Sequence, residues 1–195
     1  MNSNNISFIL HKPQLSENIG LCARGMKNFG FKNLSLIEPK PIFPNDKIKA
    51  TSVGAKDIIE KANIYPNLEK SLNKTDILIA TSARFRNKNI KHISLQELKK
   101  IDFSKKVSFL FGSEASGLTN NEVSYADYTL QIPSNAKFRS LNLSHSLVIV
   151  AQTVSNLISK EKFDFQKSKK IQKATKKEIS AMLKFCLTNL ENKNF

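Results

Sequence analysis

The sequence predicts an α/β fold: a mostly parallel sheet with helices on both faces. Five short, mostly apolar runs recur along the chain, and helical patterns separate them. Hydrophobic residues make up 40% of the 195, enough to cover both faces of such a sheet.

The first run, residues 7–10, passes through a turn at 11–16 into a helix over 17–29, with Ser16 as its N-cap and Gly30 as its stop. Ile19, Cys22, Ala23 and Met26 form the buried stripe of that helix. Arg24 stands five residues after Ile19, about 140° around the helix, and so points off the core face. Residues 34–37 form the second strand. Helices over 55–62 and 67–72 precede a third strand at 77–81, and a helix over 94–100 precedes the fourth at 107–111. Thr119 and Glu122 fit a capping box that opens a helix over 120–125. The fifth strand, 129–132, leads to a long helix from Leu143 to about Lys160. That helix is apolar around most of its circumference and needs burial on two sides, the second of which a subunit interface would supply.

Residues 1–160 are read as the main domain. Residues 161–174 are polar and lysine-rich, the pattern of a linker, and 175–195 carry one more helix. Thr175 and Glu178 fit a second capping box, and Ile179, Met182, Leu183, Cys186, Leu187 and Leu190 recur at helical spacing. One amphipathic helix cannot bury its stripe alone, so it is expected to dock on the main domain or on a partner.

Composition narrows the function classes. No apolar run approaches the ~20 residues needed to span a bilayer, and the first ten residues have neither a charged n-region nor a cleavage site. Two cysteines are too few for a disulfide framework, which points to a reducing cytoplasm. The formal charge is +15, from 31 Lys and Arg against 16 Asp and Glu, and implies an anionic partner. Only four of the basic residues are arginines: Arg24, Arg84, Arg86 and Arg139. A guanidinium grips phosphate or carboxylate with a planar fork that lysine lacks, so these four stand apart. His11, His92 and His145 are scattered without Cys or carboxylate neighbours at ligand spacing, and no metal site is expected. Glycine-rich dinucleotide and phosphate loops are also missing, as is a nucleophile elbow.

Three segments carry polar residues that a merely structural role does not exhaust. The first, 18–30, reads N-I-G-L-C-A-R-G-M-K-N-F-G, with Asn18 in the first helical turn, where capping is its ordinary use. The second, 109–123, ends a strand in Phe111-Gly112 and continues through Glu114 and Gly117; Glu114 either pairs with a surface lysine or serves a site. The third, 132–146, places Ser140, Asn142 and Ser144 between leucines at a helix entrance. Capping accounts for one of those three.

In this order the segments resemble the three motifs of the SPOUT superfamily of RNA methyltransferases. Within its TrmH branch they are most similar to the TrmJ group of tRNA 2′-O-ribose methyltransferases. The matching stretches are N-I-G-x-x-A-R-x-M-K-N-F-G (18–30), F-G-x-E-x-x-G-L-T-N-x-E (111–122) and S-L-N-L-S (140–144). Thr81-Ser82-Ala83-Arg84 and the stretch 54–59 add to the likeness, which covers about residues 5–160.

The resemblance implies a deep trefoil knot in the C-terminal part of the sheet and a homodimer with two composite sites. It implies S-adenosylmethionine as cofactor, held by Thr81, Ser82 and Ala83, by Gly112 with Ile132, and by Arg139, Ser140 and Leu141. It implies a catalytic set of Arg24, Asn18, Glu114, Ser140 and Asn142. Arg24 acts there as an electrostatic positioner rather than as a base, because a guanidinium is a poor proton acceptor and a good grip for phosphate. Arg84, Arg86 and Lys27 are the expected RNA contacts. The expected substrate is tRNA at nucleotide 32 of the anticodon loop. The alternatives are another tRNA position or ribosomal RNA and, in a different class, a knotted protein that binds RNA or cofactor without catalysis. The chain departs from the group's pattern at Ala115, where a basic residue is usual, at His145, and in the single helix after residue 161.

Overall fold

A computed structural model describes residues 3–83, 90–159 and 174–192. The chain divides into two compact units, Met1–Lys160 and Glu161–Phe195. In the first unit the strands are β1 (Ile6–His11), β2 (Asn33–Ile37), β3 (Asn63–Tyr65), β4 (Ile77–Thr81), β5 (Lys91–Ser94), β6 (Val107–Phe111) and β7 (Tyr128–Gln131). They form one seven-stranded sheet in the order β3-β2-β1-β6-β4-β7-β5, every pairing parallel. The expected fold class, α/β on a parallel sheet, is the one observed.

The helices of this unit are α1 (Ser16–Asn28), α2 (Asp46–Thr51), α3 (Lys56–Glu60), α4 (Leu68–Ser71), α5 (Asn120–Ser124) and α6 (Leu143–Ile158), with a 3-10 helix at Leu95–Lys100. Strand side chains alternate between two cores, as the pleat requires. Ile6, Phe8 and Leu10 point to one face with Phe109 and Phe111, where the stripes of α1 and α6 cover them. Ile9 points to the other with Leu78, Ala80 and Leu110, under Leu68 of α4 and Val123 of α5. Phe8 is the centre of the larger core, with its ring centroid 5.2 Å from Phe31, 5.7 Å from Phe109 and 6.2 Å from Phe111.

Several boundaries differ from the sequence reading. Strands β3 and β5 were not expected, because each is a short sheet edge with few buried side chains and so no apolar run. Helix α2 escapes for the same reason: Ile48 is its one buried residue, and the start signal is Asn45, whose side chain accepts the Ile48 N–H. The 94–100 helix is 3-10, and Ser94 and Glu97 close a capping box there that, with Lys100, holds the Glu97 carboxyl down at about 2. Ser16 is not the N-cap of α1. The capping position is Leu15, and Ser16 Oγ instead accepts from Asn45 Nδ2 at 2.9 Å. The other end of α1 stops as expected: Gly30 takes φ +77°, and Phe31 N–H reaches back to Met26 O at 2.9 Å.

In the second unit α7 (Lys176–Glu191) begins at Thr175, with the expected capping box to Glu178 in place. The stretch read as a linker lies, except for Ala174, outside the described residues. Among the described residues no helix is long and apolar enough to cross a membrane.

One buried titratable group ties β1 to α5. His11 is 4% exposed, with Nδ1 3.4 Å from Glu122 Oε1, and Glu122 Oε2 accepts the Thr119 N–H at 2.6 Å. Burial holds His11 below its ordinary value of 6.5, an effect that Lys12 reinforces and that Glu122 and Glu38 oppose. Unfolded His11 therefore gains a proton at a higher pH than folded His11. Stability falls as pH drops through 6.5, because there the unfolded state binds more protons. His11→Gln is expected to flatten this part of the slope in urea denaturation at about pH 7.5 and about pH 5.5; equal slopes for both proteins would contradict it.

Candidate functional site

The sheet order reverses direction around β1, and in open parallel sheets ligand crevices form beyond the carboxyl ends of strands at such a point. A cavity of about 570 Å³ lies to one side of that point, beyond the carboxyl ends of β6, β4 and β7. Its size falls within the range of small-molecule sites. Thr81, Ser82 and Ala83 line it from the end of β4, Gly112 and Glu114 from the loop after β6, Ile132 after β7, and Arg139, Ser140 and Leu141 before α6. All eight residues expected to hold a cofactor thus face one cavity.

Local structure explains how these loops hold their places. Thr81 Oγ1 donates to Leu110 O at 3.0 Å, and Ser82 N–H donates to Leu130 O at 3.0 Å, which locks the end of β4 between its neighbours. After β6 the chain doubles back, with Gly117 N–H on Ser113 O at 2.9 Å and the two hydroxyls of Ser113 and Ser116 at 2.8 Å. Gly112 is required by that fold-back: a Cβ there would sit 2.2 Å from the carbonyl carbon of Gly117.

Glu114 joins this loop to the first segment. Its carboxylate accepts Gln14 N–H at 2.8 Å, Leu15 N–H at 3.2 Å and Asn18 Nδ2 at 2.8 Å. It also sets a negative charge at the N-terminus of α1, where the helix dipole favours one. Asn18, 3% exposed, passes the chain of bonds on: its Oδ1 accepts Asn142 Nδ2 at 3.0 Å. Asn142 Oδ1 in turn accepts Ser144 N–H at 2.8 Å and Ser144 Oγ at 2.7 Å, capping α6. Glu114 is therefore no lysine partner, and Asn18 is no cap. Both belong to one relay that joins all three segments.

The other expected residues lie elsewhere. Arg24 is exposed on the outer face of α1, as its angular position predicts, and does not line the cavity. Lys27 pairs with Asp57 at 2.6 Å, a bond that holds the Asp57 carboxyl below its usual range. Arg84 and Arg86 fall outside the described residues. Cys22 is fully buried on α1; burial, and then Glu114, push its thiol up, so it stays neutral. Among the described residues no group of three or more metal-ligating side chains is found. Leu130, Leu143 and Ser146 also line the cavity and were not among the expected site residues, although each stands within or next to a motif segment.

The lining has the chemistry of a nucleoside site: apolar faces from Ala83, Leu130, Ile132, Leu141 and Leu143, with hydroxyl and main-chain groups between them. Arg139 at its border suits a carboxylate or phosphate. Glu114 has its carboxylate oxygens engaged by three N–H donors rather than turned to a ligand.

Residues 5–152 match the model of the SpoU rRNA Methylase family. The chain is 32% identical over 163 residues to the tRNA (cytidine-2′-O-)-methyltransferase TrmJ of Methanocaldococcus jannaschii, an alignment covering 81% of this chain and 70% of that one. It is 36% identical over 154 residues to the tRNA (cytidine/uridine-2′-O-)-methyltransferase TrmJ of Sodalis glossinidius, covering 77% and 60%. The chain thus spans between 60% and 70% of the length of these two relatives. The crystal structure of TrmJ from Z. mobilis superposes with a TM-score of 0.72 at 28% identity, covering 96% of this chain and 80% of that one.

The relay predicts the cost of weakening its hub. Glu114→Gln keeps the shape but replaces one acceptor oxygen with an N–H₂ that faces donors. Chemical denaturation is expected to show a loss of about 1–3 kcal/mol. A loss below about 0.5 kcal/mol, the size of an ordinary surface substitution, would mean that the carboxylate does not hold these loops.

Proposed function

The chain belongs to the SpoU rRNA Methylase family, and on that premise we propose that it methylates a ribose 2′-hydroxyl of tRNA, at nucleotide 32 of the anticodon loop, with S-adenosylmethionine as methyl donor. The observation that carries this reading is the convergence of Thr81–Ala83, Gly112, Ile132 and Arg139–Leu141 on one cavity. The tRNA substrate is supported by the two TrmJ relatives and by the +15 charge, which favours a polyanion.

S-adenosylmethionine supplies an electrophilic methyl group on a sulfonium. When it is bound, main-chain groups of the three loops would read its adenine edge, with Ile132 and Leu141 supplying apolar surface beside the ring. Arg139 would hold the cofactor's carboxylate. Ser140, in the cavity wall, offers a hydroxyl toward the reacting region. Glu114, Asn18 and Asn142 act through the relay: they fix the entrance of α6, and with it Ser140, relative to the loop after β6. They are positioning residues, since their polar atoms are spent on one another.

Arg24 grips a phosphate beside the target ribose or the developing alkoxide, stabilising charge while the hydroxyl proton leaves to water. Its place on the outer face of α1, away from the cavity of its own chain, supports a homodimer in which α1 of one protomer completes the site of the other. The reading includes a trefoil knot formed by the segments that carry the cavity loops, and action in the cytoplasm on tRNA.

Calorimetry with S-adenosylmethionine and mapping of ribose methylation on tRNA test this function together. Wild type is expected to bind the cofactor and modify a single anticodon-loop ribose; binding without transfer to any RNA would leave a non-catalytic protein. Arg24→Lys is expected to keep cofactor affinity and lose roughly 100-fold or more in turnover, the effect of removing one preorganised charge donor. Turnover near the wild-type value would refute the role given to Arg24.

A further inference from the structure

The segment between β7 and α6 carries a feature that the cofactor cavity does not use. Phe138 is 77% exposed, although the phenylalanines of the sheet core are fully buried. It stands between two cations, Lys137 and Arg139. The turn that presents it is braced from within. Lys137 N–H donates to Asn135 Oδ1 and Phe138 N–H to Asn135 O, both at 2.9 Å. Ser134 Oγ donates to Arg139 O at 3.2 Å, and Arg139 Nε donates to Ala136 O at 3.3 Å. A second cavity, about 450 Å³, opens along this turn and the ends of β5 and β7, and Arg139 borders both cavities.

We propose that Phe138 is a stacking platform for an unpaired nucleobase of the RNA substrate, with Lys137 holding a flanking phosphate. The inference rests on the function proposed above and adds the place where a single-stranded stretch of RNA is received. Several physical points carry it. An exposed aromatic ring is unfavourable in water, and a nucleobase gives it a flat apolar partner. Lys137 beside the ring suits a phosphate backbone, whereas the core of a protein interface is depleted in lysine. The braced turn holds the ring in place before binding, which lowers the ordering cost. Finally, Arg139 puts the platform at the border of the methyl-donor cavity, where the ribose next to a stacked base must arrive.

The chain contains no tryptophan, so Phe138→Trp creates a single reporter at this position. Its emission is expected to be quenched by a single-stranded oligouridine and by tRNA, and Phe138→Trp and Phe138→Tyr are expected to keep wild-type RNA affinity. Phe138→Ala is expected to weaken RNA binding between about 5-fold and about 150-fold, the range for one lost base stack. It should leave S-adenosylmethionine affinity, thermal midpoint and oligomeric state unchanged. Unaltered RNA affinity in Phe138→Ala, with wild type binding normally, overturns the platform alone. A loss of self-association in Phe138→Ala also overturns it, because the ring then belongs to a subunit contact. Wild-type protein that binds cofactor but no RNA overturns the functional reading, and the platform with it.

Discussion

The Glu114 carboxylate is the constraint on which the site depends. One side chain accepts three N–H groups from a segment about a hundred residues earlier, and through Asn18 it reaches a third segment beyond β7. Any one of these bonds is a modest contribution, since folding exchanges it for a bond to water. Their joint effect is geometric. The loop after β6, the N-terminus of α1 and the entrance of α6 share one polar centre, so none can shift without leaving a donor or acceptor unpaired.

The sheet supplies the frame for that centre. Phe8 packs against Phe31, Phe109 and Phe111, which welds β1 to β6 at the line where the strand order reverses. Because all the strands run parallel, their carboxyl ends open on one side, and the loops that follow β4, β6 and β7 meet there. The small residues in those loops now have a reason. Gly112 and Gly117 let the backbone double back, and Ala83 leaves space for a ligand face.

Much of this was legible in the chain. The five buried strands declare themselves as apolar runs, and their observed limits differ from the reading by one residue or less where they differ at all. The edges β3 and β5 and the short helix α2 do not, because each buries too little to leave a periodic signal. The eight cavity residues were named through motif resemblance, which stands in for three-dimensional knowledge that spacing lacks. Spacing also could not show that Glu114 and Asn18 bond to each other, or that Ser16 yields its capping role. Those are tertiary contacts that override local preference. The angle of Arg24 around α1 was readable, but its absence from the cavity wall of its own chain was not.

The charge pattern gains a division of labour from the structure. Lysines are spread over the surface, while Arg139 borders two cavities and Arg24 is exposed on the outer face of α1 near Lys27. Whether the relay builds the site as one unit is the central question, and a double-mutant cycle on cofactor affinity answers it most directly. Glu114→Gln and Asn142→Ala do not touch each other's partners except through Asn18. If the relay acts as a unit, their effects on S-adenosylmethionine affinity will couple by about 0.5–3 kcal/mol. Effects that add to within about 0.3 kcal/mol would mean that the three segments are held independently, and would contradict the account.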